Sequence, residues 1–211
     1  IGEEARKQLA LVDDYPDMVF APCGGGSNFG GIAFPFFADK AAGKDIQLVA
    51  VEPTSCPTLT KGVYTYDYGD VAGLTPLMKM YTLGHDFMPP GIHAGGLRYH
   101  GDSALVSQLH KEGLVDAIAV PQLETFEAVV LFAKNEGIVP APESCHAIAA
   151  TVREARKCTE TGEPKTLLFN LSGHGHFDMS SYDRYLAGEL EDFEYQEEAI
   201  RESLQHLPKV G

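Results

Sequence analysis

Two short stretches carry residue types with chemistry in them. The first is Pro22-Cys23-Gly24-Gly25-Gly26-Ser27-Asn28, which follows a run of apolar residues and precedes a helical pattern. Three successive glycines let the backbone approach a ligand closely, and their N–H groups can converge on one point. A helix starting there adds the positive end of its dipole, so strand, turn and helix together form a phosphate cradle. Ser27 and Asn28 either donate side-chain bonds to the ligand or cap the helix. A dinucleotide fingerprint would need Gly where Phe29 stands, and the Gly-Lys-Ser/Thr ending of a P-loop is absent. A nucleophile elbow fails as well, because Phe29 rather than Gly lies two places beyond Ser27. Glu52, ending a second apolar run, is a candidate for holding a ribose hydroxyl.

The second stretch is Leu171-Ser172-Gly173-His174-Gly175-His176-Phe177-Asp178, after the apolar run Leu167 to Asn170. Ser172 is the first polar residue past the run and is placed to offer one hydroxyl. His174, His176 and Asp178 approach the His-x-His-x-Asp-His signature of metallo-hydrolases, but Met179 takes the last ligand position. Too few further ligands follow for a binuclear site, so no metal is expected and the histidines read as exposed or loop-bonded.

These stretches need elements to position them. Met18 to Ala21, Gln47 to Val51, Asp116 to Val120 and Thr166 to Asn170 have the length and flanks of buried strands. Helical patterns alternate with them at Glu3 to Val12, Phe29 to Ala42, Asp102 to Glu112, Glu124 to Asn135 and Ser144 to Glu160. Alternation of this kind predicts an α/β fold, a mostly parallel sheet with helices on both faces. Right-handed crossovers then bring both chemical stretches to one rim. Pro53 to Gly101 is rich in Gly, Pro, Tyr and His and lacks clean periodicity; it reads as a functional irregular segment with a short helix within Leu74 to Leu83.

The chain has 211 residues and 44% hydrophobic residues, which suits one α/β domain with a sizeable core. Its formal charge of -14 argues against a nucleic-acid partner. Much of that charge lies in an acidic tail, about 189–206, expected to be a solvated helix. No apolar run reaches bilayer length, so no membrane span is expected. The opening Ile-Gly-Glu-Glu-Ala-Arg-Lys reads as an amphipathic helix and lacks the apolar stretch of a signal peptide; a cytoplasmic location is the expectation, in keeping with reduced thiols. Cys23, Cys56, Cys145 and Cys158 make no CxxC pair and read as reduced thiols. The missing initiator Met suggests a piece of a longer chain.

Several stretches taken in order resemble the pyridoxal-phosphate enzymes of the tryptophan synthase beta family. They are Gly24 to Asn28, Val51-Glu52-Pro53, Thr82 to Phe87, Ile92 to Gly101, Glu136 to Ser144 and Leu171 to Gly175. The block from His93 to Gly101 resembles the second subtype, whereas the main subtype carries Asp near the position of Arg98. The resemblance implies the large-domain portion of a fold type II enzyme with pyridoxal 5'-phosphate as cofactor. It implies a lyase joining L-serine and indole into L-tryptophan and water, in tryptophan biosynthesis. Its expected partners are a tryptophan synthase alpha-type subunit and further copies of itself, as a homo-oligomer. By the resemblance, Gly24, Gly25, Gly26, Ser27 and Asn28 hold the cofactor phosphate, and Ser172 bonds the pyridine nitrogen. A neutral hydroxyl there favours β-elimination and β-replacement. Glu136 lies beside the ring, or else is a solvated helix end with Gly137 as C-cap. Gly95 and Gly96 line the substrate side, and Arg98 meets a carboxylate or phosphate, or pairs with a surface acid.

In that family the Schiff-base lysine lies upstream of the glycine-rich turn, beside a phosphate-contacting His. The only upstream lysine here is Lys7, within an amphipathic helix. No catalytic residue is therefore expected in this chain, and the chain alone is expected to be inactive. An upstream segment would cover the rim, leaving Phe29, Leu97, Leu171 and Phe177 without a packing partner in its absence. The competing readings are a serine or threonine dehydratase, a threonine synthase, or a non-catalytic phosphate-ligand binding domain.

Overall fold

The computed structural model of the protein describes residues 1–193 and 195–209. The first half runs α1 (Gly2–Leu11), β1 (Met18–Pro22), α2 (Ser27–Ala41), β2 (Gln47–Pro53), α3 (Thr58–Lys61), β3 (Val63–Asp67) and β4 (Met78–Thr82). After a 3-10 turn at Gly95–Leu97 come α4 (Ala104–Lys111), β5 (Asp116–Val120), α5 (Gln122–Glu136) and α6 (Pro142–Thr161). The described chain then adds β6 (Leu167–Phe169), α7 (Met179–Leu186) and α8 (Glu197–Gln205).

Four strands form one sheet in the order β5-β2-β1-β6, and every neighbouring pair is parallel. Met18 faces Gln47 on one side and Leu167 on the other, which fixes the central register. The central strands are apolar except for Gln47 and Glu52 near the two ends of β2, because both faces are covered. Their side chains alternate between two clusters. Met18, Phe20, Val49 and Val51 pack against α5 and α6 through Phe126, Val129 and Ile148. Val19, Ala21, Leu48 and Ala50 pack on the opposite face against Phe29, Ile32 and Phe36 of α2. The period of two thus places one helix layer on each side.

The helix ends follow from local chemistry. Pro142 opens α6, where its missing N–H costs nothing, and Gly162 ends it in the left-handed conformation with φ 73°. Gly137 closes α5 in the same way, with φ 69°.

Three expectations need correction. Residues 74–83 contain no helix: β4 pairs antiparallel with β3 as a separate two-stranded sheet. The sequences Val63-Tyr-Thr-Tyr-Asp67 and Met78-Lys-Met-Tyr-Thr82 are β-branched and aromatic, and Met80 and Thr82 are buried at a spacing of two. The short helical elements of this region are α3 and the turn at Gly95–Leu97 instead. In the acidic tail only α8 is helical among the described residues; residue 194 lies outside them. That helix is not simply a solvated face, since Ile200 packs with Cys56, Leu83 and Phe87. On the rim, Phe29 and Leu97 are buried in the protein's own clusters, Leu171 is half-buried, and only Phe177 stands out at 91% exposure. The four cysteines are free thiols. No described helix is long and apolar enough to cross a membrane.

Candidate functional site

Strand β1 leaves the sheet at Cys23, whose N–H still donates to Val51 O at 2.8 Å. Gly24 and Gly25 follow, and Gly26 caps α2 in the left-handed region with φ 90°. The first bond of that helix runs from Gly30 N to Gly26 O at 2.8 Å. The six N–H groups from Gly24 to Phe29 donate to no protein oxygen among the described residues. Orphan donors at a helix N-terminus, in a turn that side chains do not fill, make an anion site.

Glycine is required here by close packing. A Cβ on Gly24 would lie 2.8 Å from Gly96 O and 2.9 Å from Leu97 Cα, so the turn abuts the backbone of the Gly95–Leu97 turn. A Cβ on Gly26 would lie 2.5 Å from Asp102 Oδ1 and 2.7 Å from Ser103 Oγ. The Ser103 N–H, at the start of α4, donates to Gly25 O at 3.2 Å and ties the turn down from behind.

The wall opposite comes from the exit of β6 and the first turn of α6. Asn170 Nδ2 donates to Asn28 Oδ1 at 2.8 Å, which turns the Asn28 amide nitrogen toward Ser172 Oγ, 2.7 Å away. The Ser172 N–H donates to Ser144 Oγ at 3.2 Å, and the two hydroxyls lie 3.3 Å apart. Between these walls lies a cleft of about 300 Å³ lined by Gly24 to Asn28, Gly96, Leu97, Ala141, Glu143, Ser144, Ser172 and Gly173.

The structure therefore brings Gly24, Gly25, Gly26, Ser27, Asn28, Ser172 and Gly96 together. It does not bring the other candidates to the same place. Glu136 is exposed in the last turn of α5, ahead of the left-handed Gly137, and does not line the cleft. The carboxylate in the cleft is Glu143, whose Oε1 accepts the Gly96 N–H at 2.9 Å. Gly95 is exposed, with nothing near its Cβ position. Arg98 is turned away: its Nη2 donates to Pro89 O at 2.6 Å, and its Nε is buried without a partner. Glu52 is committed elsewhere, accepting the N–H groups of Leu59 and Thr60, each at 2.9 Å, at the start of α3. That use leaves no carboxylate for a ribose. Burial pushes the Glu52 carboxyl up to about 7 against the pull of the Thr60 and Leu59 bonds. His174 and His176 are exposed and lie side by side with their rings tilted at 41°, centroids 4.6 Å apart.

Glu143 and Ser144 stand in the quoted stretch Glu136 to Ser144, and Pro142 at the helix start is the signal that its first turn follows. Asp102 carries no such signal. It lies behind the turn, where its Oδ2 accepts the Cys23 thiol at 2.9 Å while Oδ1 is buried with no partner. Burial raises the Asp102 carboxyl to about 6 despite the Cys23 bond and the nearby Ser103 groups, and burial beside that carboxylate drives the Cys23 thiol well up.

A parallel α/β sheet whose strand ends carry a glycine-rich turn at a helix N-terminus, opposite a fixed hydroxyl, has the architecture of the α/β proteins that bind ligands at the strand ends. Comparison narrows the class. The family of pyridoxal-phosphate dependent enzymes matches residues 1–173, and the chain belongs to it. The tryptophan synthase beta chain 2 of Aquifex aeolicus is 62% identical over 196 residues, covering 91% of this chain and 45% of that protein. The corresponding beta chain 2 of Methanosarcina acetivorans is 61% identical over 90% of this chain and 43% of its own length. The tryptophan synthase beta chain of Pyrococcus horikoshii is 55% identical over 93% of this chain and 43% of its own. The chain thus spans under half the length of these curated relatives. Among solved structures, a fungal L-serine ammonia-lyase from Rhizomucor miehei superposes with a TM-score of 0.66 at 17% identity, covering 90% of this chain and 55% of its own. A T.th. threonine deaminase does so with a TM-score of 0.61 at 23% identity, over 82% of this chain and 54% of its own. Both show the same fold, the fold type II sheet.

Proposed function

We propose that this chain is the cofactor-phosphate binding part of a tryptophan synthase beta-type lyase of the second subtype, which joins L-serine and indole into L-tryptophan and water. The observation that carries the reading is the glycine-rich turn Gly24 to Asn28, whose N–H groups donate to no protein oxygen and which lines one cleft with Ser172. The residues fit pyridoxal 5'-phosphate. The N–H groups of Gly24 to Asn28 and the α2 dipole would hold the phosphate, and the absence of a Cβ at Gly24 lets the turn pack against the backbone of Gly96 and Leu97. When bound, that group supplies the electron sink for reactions at the α and β carbons of an amino acid.

The chain's own residues act by placement. Ser172 Oγ accepts from Asn28, so its proton is directed elsewhere, to Ser144 Oγ at 3.3 Å or to a group in the cleft. A neutral hydroxyl donates to a ring nitrogen without the negative charge that would stabilise a protonated ring. Glu143 holds the Gly96 N–H and so ties the Gly95–Leu97 turn to the start of α6. None of the lining residues is a lysine: Lys61 ends α3, and Lys79 lies over the Tyr64 and Tyr66 rings of the hairpin. The amine that this chemistry needs would come from elsewhere in the whole protein, together with any alpha-type subunit and further copies.

The test is tryptophan formation by the whole protein from L-serine and indole. Formation supports the reading. Release of keto acid from serine or threonine with no tryptophan formed would place the protein with the dehydratases instead.

A further inference from the structure

Asp102 stands out among the groups that the site has not used. It is 2% exposed, and no lysine, arginine or histidine among the described residues bonds to it. Its Oδ2 accepts the Cys23 thiol at the root of the glycine-rich turn, and its Oδ1 has no hydrogen-bond partner. That unpartnered oxygen touches the turn itself, since a Cβ on Gly26 would fall 2.5 Å from it. A buried carboxylate therefore sits directly behind an anion cradle. Ionised, it repels a phosphate or sulfate across a few ångströms of poorly solvated protein, and it competes for the field of the same helix N-terminus. Neutral, it does neither.

We propose that Asp102 is a positioning residue that couples the cradle to a proton: the anion binds against Gly24 to Asn28 with the Asp102 carboxyl neutral, and anion binding and proton retention at Asp102 favour each other. The inference rests on the cradle reading above and adds to it. The titratable groups facing Asp102 are Cys23 at the exit of β1 and Glu52 on β2; α4 and β4 bring no cation into contact with it. Burial already holds the Asp102 carboxyl at about 6 without an anion, so little further stabilisation keeps its proton on near neutrality. By reciprocity, whatever factor the proton gives to anion affinity the anion returns to the proton.

Sulfate is the probe, because it stays a dianion between about pH 5 and about pH 8 and brings no titration of its own. Its affinity for this chain, followed by the amide resonances of Gly24 to Asn28, is expected to fall by up to about tenfold per pH unit once Asp102 ionises. D102N is expected to bind sulfate with a flat pH profile, and E52Q to keep the wild-type slope. Sulfate should also raise the midpoint of the Asp102 carboxyl carbon titration in the unmutated chain, a measurement that stands if D102N fails to fold. A flat wild-type profile, an Asp102 midpoint that sulfate does not move, or loss of the slope in E52Q would overturn the proposal while leaving the cradle in place. Absence of sulfate binding at every pH would overturn the cradle and the proposal with it.

Discussion

Replacing Gly26 with alanine isolates what the turn demands of its backbone. Two costs add. The residue sits at φ 90°, and an L-residue in the left-handed region loses about 1–2 kcal/mol relative to glycine. The new Cβ would also lie 2.5 Å from Asp102 Oδ1 and 2.7 Å from Ser103 Oγ, closer than carbon and oxygen tolerate. Asp102 must then move, and its bond to Cys23 is strained or lost, at about 0.5–1.5 kcal/mol. The expected destabilisation of G26A is therefore about 1.5–3.5 kcal/mol. The neighbouring G25A is the internal control. Gly25 has no positive φ, and its Cβ would meet only the Tyr99 ring at 3.4 Å, so a change within about 0.5 kcal/mol is expected. Urea unfolding of both variants reads the difference as a shift in midpoint at unchanged slope. In a D102A background the clash with Asp102 and the cost to its Cys23 bond disappear while the φ cost and the Ser103 contact remain, so the G26A penalty should fall by about 0.5–1.5 kcal/mol. Equal midpoints for G25A and G26A, or a G26A penalty unchanged by D102A, would refute this account of the turn.

Other outcomes follow from the same structure. Burial holds the folded Glu52 carboxyl at about 7 against an ordinary 4.5, so between those pH values the folded state binds more protons and stability falls as pH rises. The loss attributable to Glu52 is on the order of 3 kcal/mol, and E52Q should flatten that part of the pH–stability curve. Ser172→Ala should leave the fold intact, since the side chain is exposed, and lower turnover by the whole protein about fivefold to tenfold for one lost hydrogen bond; an unchanged rate would remove Ser172 from the site. Ile200→Ala should cost about 2–5 kcal/mol by opening a cavity against Leu83 and Phe87, and a change below about 0.5 kcal/mol would show that α8 is not docked in solution. The chain by itself should form no tryptophan from serine and indole, because no amine lines the cleft; steady turnover would redirect attention to Lys61 and Lys79.

What the sequence made legible was whatever depends on short periods and on glycine. The strands at Met18, Gln47 and Asp116 were visible as apolar runs because central parallel strands are buried on both faces. The turn from β1 into α2 was visible because three glycines between an apolar run and a helical pattern mark a tight strand-to-helix passage. The β3–β4 hairpin was not legible. Its strands are half-exposed and separated by Tyr68 to Leu77, so neither a tight turn nor a clean alternation marked them. Their stability comes from tertiary bonds instead: Thr82 and His85 both reach the buried Asp67, at 2.7 Å each.

The exchange of Glu136 for Glu143 shows why side-chain roles are harder to read than elements. Both carboxylates lie in one quoted stretch, seven residues apart, on either side of Pro140 and Pro142. Nothing in composition separates them. The separation arises because Gly137 ends α5 and Pro142 begins α6, so the chain reverses between the two acids. Pairing of Pro140 with His174, and of the Ala141 N–H with Gly173 O at 2.8 Å, then draws the start of α6 onto the exit loop of β6. Glu143 is carried into the cleft with Ser144, while Glu136 stays at the solvated end of α5. The same contact sets the Ser172 to Ser144 distance, so the backbone pairing that decides which acid enters also decides where the hydroxyl points. A loosened Ala141–Gly173 contact should therefore disturb Ser172 and Glu143 together, whereas a change at Glu136 should disturb neither.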